Sequence, residues 1–383
     1  MAVGIERKSS IGYGVEVTEG THVAATASEM FLASEITIEG INPEMIDRIY
    51  MDDTFGERYP VPSVRKIAAN FMSPVRYNGN TSTTVRTAPE IGELLKTIMG
   101  TEDLTDSGAL TIDTSTTTQL DLETGGDDDF TQYHACGVVN ASSEVEMAWI
   151  TAISSDSLTI SPGLSAAPST DTQVYASAMY KQASSGHQSL SFDFYDADII
   201  KHALSGCKGN ATISIKNTET PTISSAFKGI SLVSSNDTNG PAFTPTYDTT
   251  VERAVKQARI FIDGTQVVCD GVDIDLGVEV TERPDANGDE GLKGLVVTNQ
   301  QPTITMTGIE AENITNLSNL ANSTSSEITI QIGTELGNNF GVYIPRCYWI
   351  AAPLSTSDGK RIYELQGKAI KDSGNDAIYL AYM

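Results

Sequence analysis

Apolar and polar residues alternate with period two along most of this chain, and the alternation predicts strands far more often than helices. In Gln188–Tyr195, Leu190, Phe192 and Phe194 interleave with Ser189, Ser191 and Asp193, a half-buried strand. A short helix is expected next, capped by Asp196 or Asp198, with Ile199, Ile200, Ala203 and Leu204 on one face and Gly206 as its stop. Ala211–Ile215 and Ile223–Ile230 then read as two strands around a polar turn whose Pro221 cannot sit inside a ladder. The order strand, helix, hairpin recurs in Gln301–Ile370. There Ile304 and Met306 alternate with threonines, Ile314, Leu317 and Leu320 sit at helical spacing, and Ile328–Ile332 alternates again. A hairpin of Phe340–Trp349 and Arg361–Ile370 follows, turning at Ser355–Gly359. Lys228-Gly229 and Gln366-Gly367 close the two copies.

Before the first copy, Met1–Met30 is polar and dotted with glycine, an extended arm that is either disordered or laid on a neighbouring subunit. Ser34–Gly40 is a strand running into a turn. From Ile41 to Pro62 the alternation stops, yet the stretch holds Ile46, Ile49, Tyr50, Met51, Phe55, Tyr59 and Pro60. A loop so long and so rich in anchors is expected to dock on a partner. Ser63–Tyr77 resumes a strand pattern. Thr87-Ala88-Pro89-Glu90 forms a capping box ahead of Ile91, Leu94, Leu95 and Ile98, and Gly100 ends that helix.

Thr101–Lys181 is rich in Thr, Ser and Asp, with short strands expected at Val138–Val139, Val145–Ile153, Ser157–Ile160 and Gln173–Tyr180. It reads as a small all-β domain inserted into a host. Ile260-Phe261-Ile262-Asp263-Gly264 resembles Ile36-Thr37-Ile38-Glu39-Gly40, so a second host unit is expected. The expected boundaries are an arm over 1–33, a first unit over 34–100 and 182–235, the insertion over 101–181, a linker over 236–257 and a second unit over 258–383. The fold class is mainly β.

Charge sharpens this picture. The 383 residues carry a formal net charge of −26. A chain this acidic does not hold nucleic acid by neutralising phosphates. Cys136, Cys207, Cys269 and Cys347 are widely spaced without a C-x-x-C pair, so buried free thiols are expected. Met1–Ser10 lacks an apolar core and no run approaches membrane-spanning length, so a soluble protein made inside the cell is expected. The histidines, His22, His134, His187 and His202, fall in the arm, the insertion, a loop and the expected helix, with no metal-binding spacing. Asp285-Ala286-Asn287-Gly288-Asp289 starts like a calcium loop, but Val296 stands where a bidentate glutamate is needed. It reads as a turn, and the acidic run Asp127–Asp129 as a solvated surface. Trp149 and Trp349 alternate with aliphatics and are expected in cores. No catalytic constellation, cofactor or metal site is indicated.

The order of these elements resembles the major tail tube protein of long, flexible-tailed bacteriophages. The likeness rests on Ser34–Pro43, on Gly209–Ile215 followed by Pro221-Thr222-Ile223 and Phe227-Lys228-Gly229, on Leu276–Val280, and on Gly294–Asn299. Gly337-Asn338-Asn339-Phe340 and Gly374-Asn375-Asp376 complete it, and Thr101–Lys181 lies outside it. The resemblance implies a β-sandwich or partial barrel with a flanking helix, assembled into stacked rings whose inner barrel conducts genomic DNA without sequence-specific binding. With two tube domains in one chain, three chains would close a pseudo-sixfold ring in place of six. It further implies a virion-tail location, a tape measure protein and tail terminator or tip proteins as partners, and no enzymatic activity or membrane contact. An acidic lumen is expected to repel phosphates. The arm and the Ile41–Pro62 loop are expected at contacts between stacked rings, with the insertion outside. A carbohydrate-binding adhesin or receptor-binding structural protein of tandem β-sandwiches, using Trp149, Trp349 or tyrosines as sugar platforms, and a secreted hydrolase are the readings from other classes.

Overall fold

A computed structural model describes residues 8–49, 58–82, 86–104, 110–123, 130–197, 199–237, 240–288, 290–310, 314–357 and 359–383. The first part of the chain gives β1 (Ser10–Val15), β2 (Met30–Phe31), β3 (Ser34–Glu39), β4 (Met45–Ile46), β5 (Val61–Pro62), β6 (Ile67–Pro74), α1 (Gly92–Met99) and β7 (Gly100–Asp103). Next come β8 (Leu110–Ser115), β9 (Gln119–Leu122), β10 (Ala135–Val139), β11 (Val145–Ser154), β12 (Ser157–Ser161) and β13 (Gln173–Ala176). The chain returns with β14 (Ala178–Gln182), β15 (Leu190–Asp196), β16 (Ile200–Lys216), β17 (Thr222–Gly229) and β18 (Ser231–Asn236). The remainder holds β19 (Arg259–Ile262), β20 (Thr265–Gln266), β21 (Gly271–Asp275), β22 (Val278–Pro284), β23 (Leu292–Gln300), β24 (Thr303–Glu310), α2 (Ile314–Asn322) and β25 (Ser326–Ile332). It ends with β26 (Phe340–Ala351), β27 (Leu354–Ser357), β28 (Lys360–Ala369) and β29 (Tyr379–Tyr382).

Most of these strands build one long inner sheet backed by two outer ones. The inner sheet runs β3-β6-β17-β16-β21-β24-β28, with the end of β26 and then β27 along the far side of β28. One outer sheet is β2-β1-β15-β16-β18, the other β19-β25-β26-β29-β14-β7. β16 and β26 each belong to both an outer and the inner sheet. In β16 the crossing falls after Ser205, at Gly206 with φ of +67°, where the ladder to β15 shifts by a residue. At Gly209 a Cβ would stand 2.8 Å from the Phe227 Cα, so only glycine lets the strands close on each other there.

The alternation seen in the sequence is what fills the space between layers. Phe71 of β6 lies 5.3 Å from Phe31, 5.5 Å from Phe192 and 5.9 Å from Phe227, ring centroid to centroid, and all four rings are buried. In the other half, Ile274, Ile304, Met306 and Leu365 of the inner sheet meet Ile260, Ile328, Ile330 and Val342 of the outer one. α1 closes the first core with Leu94, Leu95, Ile98 and Met99, and Gly100 ends it in the left-handed conformation. Its start differs from the expected capping box. Glu90 turns instead to Arg76, accepting from Nη2 at 2.7 Å, and to the Asp248 N–H at 3.1 Å.

Three expectations are corrected. The helix expected around Ile199–Leu204 is the beginning of β16: six residues fit either period, and ladders to β15 on one edge and β18 on the other decide for the strand. His202 therefore stands on a strand, buried, with Nδ1 2.8 Å from the Ser234 hydroxyl. Second, the N-terminal segment is no free arm from residue 10 onward. β1 pairs with β15 and β2, Ile11 and Met30 are fully buried, and residues 1–7 lie outside the described ones. Third, the strand that matches β3 is β21, not Arg259–Ile262, which plays the part of β1: it pairs with β25 as β1 pairs with β15. Lys228, opposite Lys208, correspondingly matches Lys368, opposite Tyr348, and not Gln366.

The segment between α1 and β15 contains a closed barrel, β10-β11-β12-β9-β8-β13, with its own core of Ile112, Leu120, Leu122, Val138, Ile150 and Leu158. It grows from the first half, but it sits on the second. Val145, Met147 and Trp149 of β11 pack on Tyr343, Tyr379, Ala381 and Met383. Trp149 stacks on Tyr343 at 5.1 Å, and Gln331 accepts from the Met147 N–H at 2.9 Å while donating to the Val145 carbonyl at 2.7 Å. The stem strands β7 and β14 extend the second outer sheet through β29.

Candidate assembly surfaces

The inner sheet ends on two strand edges without partners. Among the described residues β3 pairs only with β6, and β27 only with β28. Unpaired edges of a long sheet are templates for another chain, and monomeric proteins protect them. β3 presents Thr37 and Glu39 to solvent and keeps Ile36 and Ile38 half-buried, while Leu354 of β27 is 51% exposed.

Midway along the same sheet lies a junction that is closed, β16 against β21, where the halves of the chain meet. Thr212, Ile213 and Ser214 stand opposite Asp275, Ile274 and Asp273. Ile213 and Ile274 are fully buried. The polar face is tied by hydrogen bonds: Ser214 Oγ donates to Asp273 Oδ1 at 2.6 Å, Asn210 Nδ2 to Asp275 Oδ1 at 2.6 Å, and the Val278 N–H to Asn210 Oδ1 at 3.0 Å. The β22–β23 hairpin then folds across the junction onto the first half, burying Val278, Val280 and Leu295. Lys228 Nζ donates to the Val280 carbonyl at 3.0 Å and Lys208 Nζ to the Leu295 carbonyl at 2.9 Å.

The loop singled out in the sequence is the corresponding hairpin of the first half. β4 and β5 pair Met45 with Pro62 and Ile46 with Val61. Met45 and Ile46 are each 55% exposed, Ile49 91% and Tyr59 86%, and Pro60 is half-buried. Tyr50, Met51 and Phe55 lie outside the described residues. Ile41, Val61 and Val64 extend the exposed apolar surface. Together these side chains form an exposed apolar patch on one hairpin. Lys66 lies 2.8 Å from Glu44 at the exposed hairpin base, and that hydrogen bond and charge raise its pKa.

The open face of the inner sheet is lined by short polar side chains: Asn70, Thr212, Ser214, Thr222, Ser224, Thr303, Thr305, Thr307 and Gln366. Its charges nearly balance, Glu39, Asp273, Asp275 and Glu364 against Lys216, Lys228 and Lys368. That face does not concentrate the chain's negative charge.

The other candidates resolve simply. The thiols of Cys136, Cys207 and Cys347 are buried, and burial pushes the Cys136 thiol up to about 12. Cys269 is half-buried. Trp149 and Trp349 are core residues, the indole N–H of Trp349 donating to Ser326 Oγ at 3.1 Å, so neither offers a face to a sugar. Asp285 accepts from the Asn287 N–H at 2.9 Å in the β22–β23 turn, which holds its carboxyl below the usual range. His187 is wedged between the carbonyls of Thr97 and Ala183, each 3.0 Å away. Asp127–Asp129 lie outside the described residues. Among the described residues no three His, Cys, Asp or Glu side chains converge on a metal-sized site, and no helix is long and apolar enough to cross a membrane.

Sequence reasoning singled out this stretch by its apolar anchors but read it as a loop, without the β4–β5 pairing. It missed β27 because Ser355–Ser357 read as turn residues, whereas the strand continues through Ser357. No curated protein matches the chain. A family model described as phage tail tube protein matches residues 6–378, nearly the whole length, as the sequence resemblance implied. The chain belongs to the phage tail tube protein family, a structural family of the virion tail.

Proposed function

We propose that copies of this chain join edge to edge into rings, that the rings stack into the tail tube, and that the open face of the inner sheet lines the conduit for genomic DNA. The observation that carries this reading is the pair of unpartnered edges, β3 and β27, terminating a sheet that already joins two like halves at β16–β21. Because each chain supplies two tube domains, the first made of β1 and β2 with 34–100 and 182–235 and the second of 258–383, three chains make a pseudo-sixfold ring. The barrel within 101–181 decorates the exterior, and the exposed Ile46, Ile49 and Tyr59, with Tyr50, Met51, Phe55 and Pro60, lie at contacts between rings. The tube belongs to a long flexible tail, contacts a tape measure protein within it and terminator and tip proteins at its ends, and is assembled in the host cytoplasm.

A lumen of threonine, serine and amide side chains suits passage of DNA. It offers no cation array to hold phosphates. The near balance of charge on that face makes slipping depend on the lack of binding groups more than on repulsion by the net charge of −26. Negative-stain microscopy of concentrated purified protein, averaged down the tube axis, tests the reading. Three outer protrusions around six inner lobes are expected. Six equivalent protrusions would remove the threefold ring, and isolated particles under all conditions would remove the tube.

A further inference from the structure

We propose that the seam between neighbouring chains of the ring copies the seam inside each chain, in register and in its clasp. This rests on the ring reading above and adds the residues that meet. The ladders supply the alignment. Ile213 of β16 faces Ile223 of β17, and Leu354 of β27 faces Tyr363 of β28; Ser214 faces Thr222, and Ser355 faces Ile362. The Glu364 N–H donates to the Pro353 carbonyl at 3.1 Å, so Pro353 continues the same ladder and takes the place of Thr212. On the other side, Asp275 faces Thr303, which faces Lys368, and Glu39 faces Ala68, which faces Lys228. Glu39, Ile38 and Thr37 therefore stand where Asp275, Ile274 and Asp273 stand.

Carrying the internal pairs across sets Pro353 opposite Glu39, Leu354 opposite Ile38, and Ser355 opposite Thr37 of the next chain. The chemistry of the positions agrees. Leu354 and Ile38 repeat the apolar contact of Ile213 with Ile274, and Ser355 with Thr37 repeats a hydroxyl meeting a polar partner on the open face.

The clasp follows by the same alignment. Met45 faces Pro62 as Val280 faces Val297, and Pro60, two residues before Pro62, takes the place of Leu295, two before Val297. Val280 and Leu295 are buried on the first half of their own chain, whereas Met45 is 55% exposed and Pro60 half-buried with no such half beneath them. Their seat on the neighbour is the surface beside Lys368 and Tyr348, the counterparts of Lys228 and Lys208. An open groove of about 690 Å³ lies there, lined by Val297, Asn299, Gln301, Lys368 and Ile370. Lys368, exposed at the end of β28, is placed to donate to the Met45 carbonyl as Lys228 does to Val280. The base of the β4–β5 hairpin thus holds its neighbour within the ring, which moves Pro60 from the contacts between rings to the seam and leaves Ile49 and Tyr59 nearer the tip for the next ring.

Two experiments test this in assembled full-length protein. Thr37→Cys with Ser355→Cys is expected to cross-link under mild oxidation into dimers and closed trimers on a non-reducing gel, alongside the intrachain control Ser214→Cys with Asp273→Cys. Glu39→Cys with Ser355→Cys, slipped by two residues, is expected to cross-link far less. Equal or stronger cross-linking of the slipped pair within normal tubes would overturn the register while leaving the tube. Met45→Asp, at a position exposed in the lone chain, is expected to leave the monomer's circular dichroism unchanged and raise the critical concentration for rings roughly tenfold or more. Intact single rings that fail to stack would show the hairpin base acting between rings, and so overturn the clasp. Failure of the wild-type protein to form rings would remove the tube reading itself.

Discussion

Glu146 and Arg259 join the inserted barrel to the second half of the chain, and their removal should loosen that seam measurably. Arg259 Nη2 stands 3.2 Å from Glu146 Oε2 with little of either side chain exposed. The carboxylate also accepts from the Ser165 N–H at 2.8 Å, from the Ser165 hydroxyl and from Asn140 Nδ2 at 3.0 Å. Burial alone would raise the Glu146 pKa, but these hydrogen bonds and the guanidinium outweigh it and hold the carboxyl below its usual range. Removing one member of a buried pair costs about 3–5 kcal/mol when the other charge is left bare. Arg259 keeps the Gln331 Oε1 at 3.2 Å, so Glu146→Ala should fall near the lower end, about 3 kcal/mol. Arg259→Met leaves Glu146 with its other donors and should cost about 2 kcal/mol, with a coupling of about 1–2 kcal/mol in the double variant. Because the folded pKa of Glu146 is depressed, this stability is present above the ordinary glutamate range and is lost as pH falls through the folded value. Trp149 stacks on Tyr343 at this seam, so in a Trp349→Phe background its emission reports undocking during urea titration. Single variants that each cost under about 1 kcal/mol, with no coupling, would show that Gln331 and the apolar contacts hold the barrel without the ion pair.

Three further outcomes are expected. Phe71→Ala, at the centre of four buried rings, should destabilise the first half by about 3–5 kcal/mol in denaturant titrations, and a loss under 1 kcal/mol would show that the core collapses around the gap. Burial lowers the His202 pKa below its usual value, so folding favours the neutral imidazole; melting temperature should fall as pH drops from about 6.5, and His202→Gln should flatten that dependence. Gly137→Ala would drive a methyl into Met383, so its melting temperature should drop, with partial recovery when Met383→Ala is added.

In the second half β24, β25 and the long strands β26 and β28 were legible because they alternate cleanly, as at Ile304 and Met306, while β27 was not, and α1 was legible because Ile91, Leu94, Leu95 and Ile98 span two full turns. What escaped has physical reasons. The short apolar run at Ile199–Leu204 suits either period, and only pairing on both edges, which no local pattern contains, makes it a strand. β1 hid behind Gly12 and Gly14, which look like loop residues but are there because Ala25 and Val23 press against the strand: a Cβ on Gly12 would lie 2.8 Å from the Ala25 Cβ. β8 and β9 hold few inward apolar residues, Ile112, Leu120 and Leu122, in a stretch otherwise made of Thr, Ser and Asp. The hairpin anchors were visible as anomalies of composition, whereas the open edges are a property of the whole sheet.

Seating the barrel of one half on the other has a mechanical consequence. The β16–β21 seam is bridged from outside, because the barrel's stem leaves α1 on one side and its body is bolted to β26 and β29 on the other. In the proposed ring, the seam between chains carries no such brace from within either chain. Stiff and compliant joints would then alternate around the circumference. On the proposed ring, bending would concentrate at those joints between chains, held only by the strand edges and the hairpin clasp, while the wall within each chain keeps its shape.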